Sequence, residues 1–143
     1  MAPLKFANLI TDGRPIDIYN HGNMQRDFTY VDDLVEGIVR LVSAPPCRSD
    51  KTPETGDSLS PVAPWRVINI GAGQPVNLMD FIDALETALG QTAKKNFLEM
   101  QPGDVPATWA DAKLLEKLVG ALPQTPLETG VKQFVDWFKS YYK

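Results

Sequence analysis

The chain has 143 residues and a formal net charge of −4, from 14 lysines and arginines against 18 aspartates and glutamates. This acidic balance excludes a general nucleic-acid binder, which needs a basic face. The sequence also contains no apolar run of about 18 residues, the length that a membrane-spanning helix needs. A chain of this size can bury a core without covalent staples, and the single cysteine, Cys47, excludes an intrachain disulfide. Because cysteine is scarce and no signal-peptide pattern follows Met1, we expect one cytoplasmic domain over residues 1–143.

Hydrophobic spacing predicts short strands that alternate with helices. In chain order, the predicted elements are a helix over 1–11, a strand over 16–19, an extended segment over 28–31, a helix with the capping box Asp33 and Glu36, a strand over 65–70, a helix over 78–89 capped by Asn77, a strand over 97–100, a short helix from Asp111 to Gly120 and a helix beginning at Thr125. Gly13 and Gly90 suit the ends of their helices. Because the βαβ units are not regular, we expect an α/β protein in the form of a small α+β domain.

The helix after Asp33 has a broad apolar stripe. The stripe is formed by Leu34, Val35, Ile38, Val39, Leu41 and Val42. Residues 43–64, in contrast, contain five prolines and no aromatic residue. Such a segment buries too little to offset its ordering entropy, so we predict a long mobile loop, either a tolerated surface insertion or a functional one.

Two small motifs are weak candidates for chemistry. His21 lies in a polar turn and has no metal-ligand partner at a familiar spacing, which favours an exposed turn histidine. A Gly-x-Gly turn over 71–73 lies between a predicted strand and a helix, as in dinucleotide-binding proteins. However, Pro75 removes an amide donor and Val76 replaces the third glycine, so a plain strand-to-helix turn is favoured.

Three polar or aromatic residues are stronger candidates for ligand binding. Arg26 begins an extended aromatic segment and could bind a diphosphate through its planar fork, or pair on the surface with Asp27 or Asp32. Asp104 follows Pro-Gly in a tight turn, and its carboxylate could accept hydrogen bonds from sugar hydroxyls. Tyr19, at the end of a predicted strand, could stack on a planar base or belong to the core.

In this order, these segments resemble an extended short-chain dehydrogenase/reductase, specifically the NAD-dependent nucleotide-sugar epimerase/dehydratase family near its UDP-glucuronate 4-epimerase branch. The segments that carry the resemblance are 1–6, 13–16, the run QRDFTYVDD over 25–33, NIG over 69–71, PGD over 102–104, and 110–111. The resemblance covers essentially the whole chain. It implies that the chain is the C-terminal substrate-binding domain of such an enzyme, with the Rossmann half absent.

The resemblance also implies roles for individual residues. Arg26 would bind the diphosphate of a UDP-sugar, and Asp104 would reach the uridine ribose. Asp17, through its backbone, and Tyr19, through its ring, would line the uracil pocket. Val76 and the two residues before it would form an edge of the same pocket.

The chain departs from the family pattern in two respects. Galactose-type relatives usually have a second phosphate-binding arginine where this chain has Gln101, and a tyrosine where it has Thr108. The NAD-binding glycine motif and the catalytic Tyr-x-x-x-Lys pair are absent from the 143 residues. We therefore expect NAD to bind only in a longer parent enzyme, and this chain alone to bind no NAD, to hold no catalytic residue and to be inactive.

The resemblance implies a parent that interconverts UDP-glucuronate and UDP-galacturonate. The alternatives are a dehydratase or decarboxylase of the same family and a stand-alone nucleotide- or protein-binding module. The expected partner is a UDP-sugar, with no nucleic acid, metal or membrane. A face turned toward the missing half is expected to expose apolar groups and to favour a homo-oligomer.

Overall fold

The computed structural model describes residues 2–47 and 55–142. Its elements are α1 Ala2–Thr11, β1 Pro15–Ile18, a 3-10 turn Tyr19–Gly22, β2 Gln25–Asp27, α2 Val31–Val42, β3 Pro75–Asn77, α3 Leu78–Leu89, β4 Lys94–Phe97, β5 Ala107–Thr108, α4 Lys113–Val119 and α5 Leu127–Tyr142. Helices and small sheets alternate, which confirms the predicted α/β class. No helix in the described part of the chain has the length and hydrophobicity that a bilayer crossing requires.

Contacts divide the chain into two compact units. The first unit comprises 1–26, 75–108 and 125–143, and the second unit comprises 27–74 and 109–124. The first unit contains both sheets, except Asp27 at the end of β2, and helices α1, α3 and α5, and the second contains helices α2 and α4.

Two small sheets form the strand layer of the first unit. β1 pairs in parallel with β4, with Asp17 opposite Asn96, and a three-stranded sheet has the order β3-β2-β5. The strand predicted over 16–19 ends at Ile18, because Tyr19 opens a turn in which the two following residues have positive φ. The strand predicted over 97–100 lies at Lys94–Phe97 instead, since pairing with β1 sets its position.

Helix ends in the first unit follow the predicted glycines. At Gly13 the φ angle is +65°, and its amide donates to the Ile10 carbonyl at 3.0 Å. At Gly90 the φ angle is +73°, and its amide donates to the Glu86 carbonyl at 2.9 Å. Both glycines adopt the left-handed conformation that other residues reach only with strain. The Asn77 side chain does not cap α3, because its amide donates to Asp80 at 2.9 Å.

The core of the first unit lies where α3 packs against α5 and α1 covers β1. The buried apolar side chains of this unit are Phe6, Ala7, Ile10, Ile16, Ile18, Met24, Phe81, Ile82, Leu85, Ala93, Val131, Val135 and Phe138. Burying each large side chain contributes about 1.5–3 kcal/mol relative to leaving it exposed. This set is a complete hydrophobic core for a small domain.

In the second unit, α2 packs against α4 through Gly37. A Cβ at Gly37 would lie 3.8 Å from a methyl of Leu115 in α4 and 2.9 Å from a methyl of Leu122, so a larger residue here would require the Leu122 side chain to shift. The predicted capping box is wrong, because α2 begins two residues earlier than Asp33 and no side chain caps it. Glu36, its second member, instead accepts a hydrogen bond from Arg40 at 2.7 Å.

The two extended segments predicted in this region differ in outcome. The first, over 28–31, lies after β2 and leads into α2, so the strand itself falls earlier, at Gln25–Asp27, where β5 pairs with it. The predicted strand over 65–70 is wrong, since it joins neither of the described sheets. In place of a neighbouring strand, the Ser58 hydroxyl accepts from the Val67 amide at 3.1 Å and donates to the Val67 carbonyl.

Part of the predicted mobile loop over 43–64 is held by specific contacts. Asp57 receives two hydrogen bonds from Arg66, at 2.8 and 3.0 Å, and these hold the pKa of Asp57 below its usual range. The Ser60 side chain is buried and accepts hydrogen bonds from two nearby backbone amides. Residues 48–54 lie outside the described residues, and the mobility of the loop stays a prediction.

Candidate functional site

Arg26 occupies the middle of the three-stranded sheet of the first unit, opposite Thr108 of β5. Its Nη2 donates to Asp104 Oδ1 at 3.0 Å, and its Nη1 donates to the Gln25 carbonyl at 2.7 Å. The alternative of a surface ion pair with Asp27 or Asp32 is therefore wrong, because the carboxylate that pairs with Arg26 is that of Asp104. The carboxylate that contacts the guanidinium comes from a turn 78 residues away along the chain.

The local turn fixes the carboxylate of Asp104. Gly103 has a φ of +84°, and the Asp104 amide donates to the Gln101 carbonyl at 3.1 Å. Asp104 Oδ1 also accepts from the Val105 amide at 2.9 Å. The Pro-Gly-Asp motif thus forms the predicted turn and presents its carboxylate to Arg26.

Asp17 and Tyr19 belong to β1 and to the turn that follows it. The Asp17 carboxylate accepts a hydrogen bond from the Asn96 side chain at 2.8 Å across the two-stranded sheet. The Asp17 side chain therefore already has a hydrogen-bond partner. Tyr19 is half-buried, so it is neither a core residue nor a fully exposed one. The following Asn20 and His21 have φ angles of 50° and 49°, a left-handed pair that reverses the chain beside the tyrosine. As predicted, His21 is exposed, and it lies 3.1 Å from Glu99.

The remaining predicted positions lie close to β2 along the sheet order. Val76, half-buried, lies on β3, the neighbour of β2, and Thr108 is exposed on β5, the other neighbour. Gln101 is exposed at the start of the Asp104 turn. The three-stranded sheet and its turn therefore bring together Arg26, Asp104 and Val76, whereas Asp17 lies in the other sheet of the unit.

Sequence reasoning missed the role of Asp27 in the second unit. Its Oδ2 accepts from the amides of Gly73 and Ala110, each at 3.0 Å, while its Oδ1 is buried and has no partner among the described residues. A Cβ at Gly71 would come within 2.5 Å of the Ala110 Cβ, so the turn must pass close to this segment. Because these partners are more than 40 residues from Asp27, no local pattern could have indicated them.

A cavity of about 330 Å³ lies within the second unit, but it does not contain the predicted substrate-binding residues. It is lined by the glycine turn over 71–73, by Trp109 and Asp111, and by Leu115 of α4. In the described ranges, no three His, Cys, Asp or Glu side chains cluster in a way that could hold a metal ion. The predicted substrate-binding residues of the first unit therefore include the Arg26 guanidinium, the Asp104 carboxylate and the half-buried ring of Tyr19.

Comparisons with known proteins agree with the resemblance in the sequence. Residues 3–53 match the NAD dependent epimerase/dehydratase family. A Rhizobium meliloti protein named "Probable UDP-glucuronate 4-epimerase" is 52% identical over all of this chain and 42% of its own length. UDP-glucuronate 4-epimerase 1 of Arabidopsis thaliana is 40% identical over 99% of this chain and 33% of its own length.

A solved structure agrees in the same way. UDP-glucuronic acid 4-epimerase from Bacillus cereus, in complex with UDP-glucuronic acid and NAD, superposes with a TM-score of 0.76 at 30% identity. The match covers 99% of this chain and 40% of that protein. Over its whole length, the chain is similar to members of the NAD-dependent epimerase/dehydratase family. It spans less than half the length of the relatives it matches.

Proposed function

We propose that this chain is the substrate-binding part of a UDP-glucuronate 4-epimerase. The observation that carries the proposal is the contact between Arg26 and Asp104, two residues for which the family pattern implies adjacent parts of one UDP-sugar. The names of the relatives support the choice of UDP-glucuronate over the sugars of dehydratases or decarboxylases.

The proposed roles follow from the chemistry of each group. The planar guanidinium of Arg26 binds the diphosphate through charge-assisted hydrogen bonds, and the carboxylate of Asp104 accepts from the ribose hydroxyls. Tyr19 stacks on the uracil, and the backbone of Asp17 binds its polar edge. Val76 supplies an apolar edge to the nucleotide.

NAD belongs to the parent enzyme in this proposal, because the residues of this chain do not fit it. In the Gly-x-Gly turn, the Ala72 amide donates to Thr29 at 3.2 Å and the Gly73 amide donates to Asp27 at 3.0 Å. Those amides are not free to bind a pyrophosphate, and Pro75 has no amide proton. The chain alone therefore binds no NAD and epimerises nothing.

We propose in addition that a second copy of this chain covers the apolar stripe of α2 when the rest of the parent is absent. Val35 and Val39 are exposed on this helix. The relatives are more than twice as long as this chain, so part of their surface has no counterpart here. Association between copies would remove this apolar surface from water.

The test of the binding site is a calorimetric titration with UDP. We expect a dissociation constant near or above about 1 mM, since the part of the relatives outside this chain would form the rest of the pocket. Arg26→Ala should weaken binding by about 1.5–3 kcal/mol, whereas Arg14→Ala, at an exposed arginine of the same unit, should not. Arg26→Lys should restore only part of the affinity, because an ammonium lacks the planar fork.

Two results would contradict the proposal. If the Arg26→Ala and Arg14→Ala variants bind UDP equally well, Arg26 does not bind the diphosphate. If incubation of the chain with UDP-glucuronate and NAD yields UDP-galacturonate, an unrecognised catalytic group lies within these 143 residues.

A further inference from the structure

The two residues proposed to bind different parts of the ligand bind each other in this structure. Arg26 Nη2 lies 3.0 Å from Asp104 Oδ1, and their side chains are 29% and 35% exposed. The pair is thus partly shielded from water and still reachable from solvent. An anion that approaches this edge of the guanidinium meets a carboxylate already in place.

Contacts on both sides keep the pair in its geometry. The Val105 amide and the turn at Gly103 hold Asp104, while the Gln25 and Pro106 carbonyls accept from Arg26 Nη1 at 2.7 and 3.4 Å. Nη2 has two N–H groups, and a phosphate oxygen that takes the one now bonded to Asp104 Oδ1 must displace that carboxylate. The displaced carboxylate would then stand beside the phosphate as a like charge.

The cost of this displacement depends on what else the ligand offers. Inorganic phosphate or pyrophosphate gives Arg26 a new acceptor but leaves Asp104 without a donor and close to negative charge. A nucleoside diphosphate brings ribose hydroxyls, which can donate to the released carboxylate. Only the second ligand replaces both halves of the broken pair.

We propose that Asp104 is a specificity-determining residue, because its ion pair with Arg26 weakens the binding of simple phosphates and favours ligands that carry both a diphosphate and a ribose. The inference rests on the proposed function, which gives Asp104 only the ribose contact. It adds a second role, in which the same carboxylate competes with phosphate for the guanidinium. This role is an example of specificity achieved by a built-in penalty against the wrong ligand.

The test compares pyrophosphate and UDP as calorimetric probes of the full chain and its variants. Asp104→Asn retains an oxygen that can accept from the Val105 amide, so the turn is expected to survive, as a thermal melt will check. This variant should bind pyrophosphate about twofold to fivefold more tightly than the parent chain does. Its preference for UDP over pyrophosphate should fall about tenfold, since the ribose contact weakens at the same time.

Two further variants locate the effect. Asp83→Asn makes the same change in net charge on an exposed residue of α3, and it should leave pyrophosphate binding unchanged. The double variant Arg26→Ala with Asp104→Asn should lose the gain, because the guanidinium that Asp104 masks is gone. A gain that persists in the double variant would overturn the inference, since the anion would then bind elsewhere.

The outcomes separate this inference from the proposed function. If Asp104→Asn binds pyrophosphate no more tightly than Asp83→Asn does, the inference fails, even where UDP binds the parent chain. If it binds pyrophosphate more weakly, Asp104 only orients Arg26, and the inference also fails. If the parent chain binds no UDP but Asp104→Asn gains pyrophosphate binding through Arg26, the proposed function fails and the masking role stands.

Discussion

The first unit has a full hydrophobic core, and the second unit has little of one. Of the buried apolar side chains in the described residues, only Leu115 lies in the second unit. The second unit is instead held by polar contacts, including the Asp57–Arg66 pair and the Asp27 carboxylate with its two amide donors. Because apolar burial is the dominant favourable term in folding, we expect the first unit to be the more stable of the two.

Helix α2 shows the difference most clearly. Gly37 lies on the packed side of this helix, whereas a stripe of apolar residues on another side is exposed. The exposed aliphatic residues of α2 are Val31, Val35, Ile38, Val39 and Val42. Four of these positions follow the first by 4, 7, 8 and 11 residues, which places all five on one helical face. A contiguous apolar face of this kind is the basis for the proposed association with a second copy.

Matched leucines in the two units give the largest test of this comparison. Leu85 in the first unit and Leu115 in the second are both almost completely buried. Leu85→Ala should lower the free energy of unfolding by about 4–5 kcal/mol, and Leu115→Ala by about 2 kcal/mol. The smaller value is expected because Leu115 already borders a cavity and has fewer contacts to lose.

Urea denaturation followed by circular dichroism would measure both values. Tryptophan fluorescence separates the units in variants that keep either Trp137 of the first unit or Trp65 and Trp109 of the second, with phenylalanine at the other positions. Equal losses for the two variants would show that the second unit packs as tightly as the first.

A matched pair of valines tests whether the apolar face of α2 associates with a second copy. Val39 of the second unit is 57% exposed, and Val105 of the first unit is 49% exposed. Val39→Lys should raise the dissociation constant for self-association about tenfold, equal to roughly 1.4 kcal/mol. Val105→Lys should have no effect, because its surroundings are not part of the stripe.

Analytical ultracentrifugation over a range of concentrations would measure the association. If the unmodified chain stays monomeric at all concentrations, the proposed association with a second copy is wrong. So would an equal effect of the two lysine variants, because the association would then not depend on α2.

The sequence predicts features whose cause is local. The ends of α1 and α3 are predicted correctly because Gly13 and Gly90 favour a left-handed conformation without help from distant residues. The turn at Asp104 is predicted for the same reason. Helix α5 is also correct, since Pro126 and Glu128 mark its beginning within one turn.

Features that depend on distant partners are not predicted. The strand expected over 65–70 has suitable residues, but a strand forms only where a neighbour offers its backbone, and no described strand does so. The contact between Arg26 and Asp104 joins residues 78 positions apart, so local reasoning named both residues but not their pairing. Hydrophobic spacing identifies the apolar stripe of α2, but spacing alone does not say whether a distant part of the chain covers it.

Acid sensitivity gives a smaller test, because the described part of each unit contains a carboxylate with a lowered pKa. In the second unit, hydrogen bonds from Arg66 lower the pKa of Asp57. In the first unit, burial raises the pKa of Glu86, but hydrogen bonds from Lys95 and from the Ala93 amide outweigh burial, and the net shift is downward. A lowered pKa in the folded state stabilises the fold above the unfolded pKa, and this contribution is lost as the pH falls through the folded pKa.

Both units should therefore lose stability in acid, beginning near the ordinary carboxyl pKa of about 4 and continuing below it. Asp57→Asn should flatten this dependence for the tryptophans of the second unit, and Glu86→Gln should flatten it for Trp137. Thermal melts from pH 7 to about pH 3, followed by fluorescence, would measure the slopes. The second unit has fewer buried apolar side chains in the described residues. In the chain without the Asp57 or Glu86 substitution, the fluorescence change of its tryptophans should therefore occur at a higher pH than that of Trp137. Loss of the Trp137 signal first would show that the polar contacts around Asp57 stabilise the second unit more than apolar burial stabilises the first.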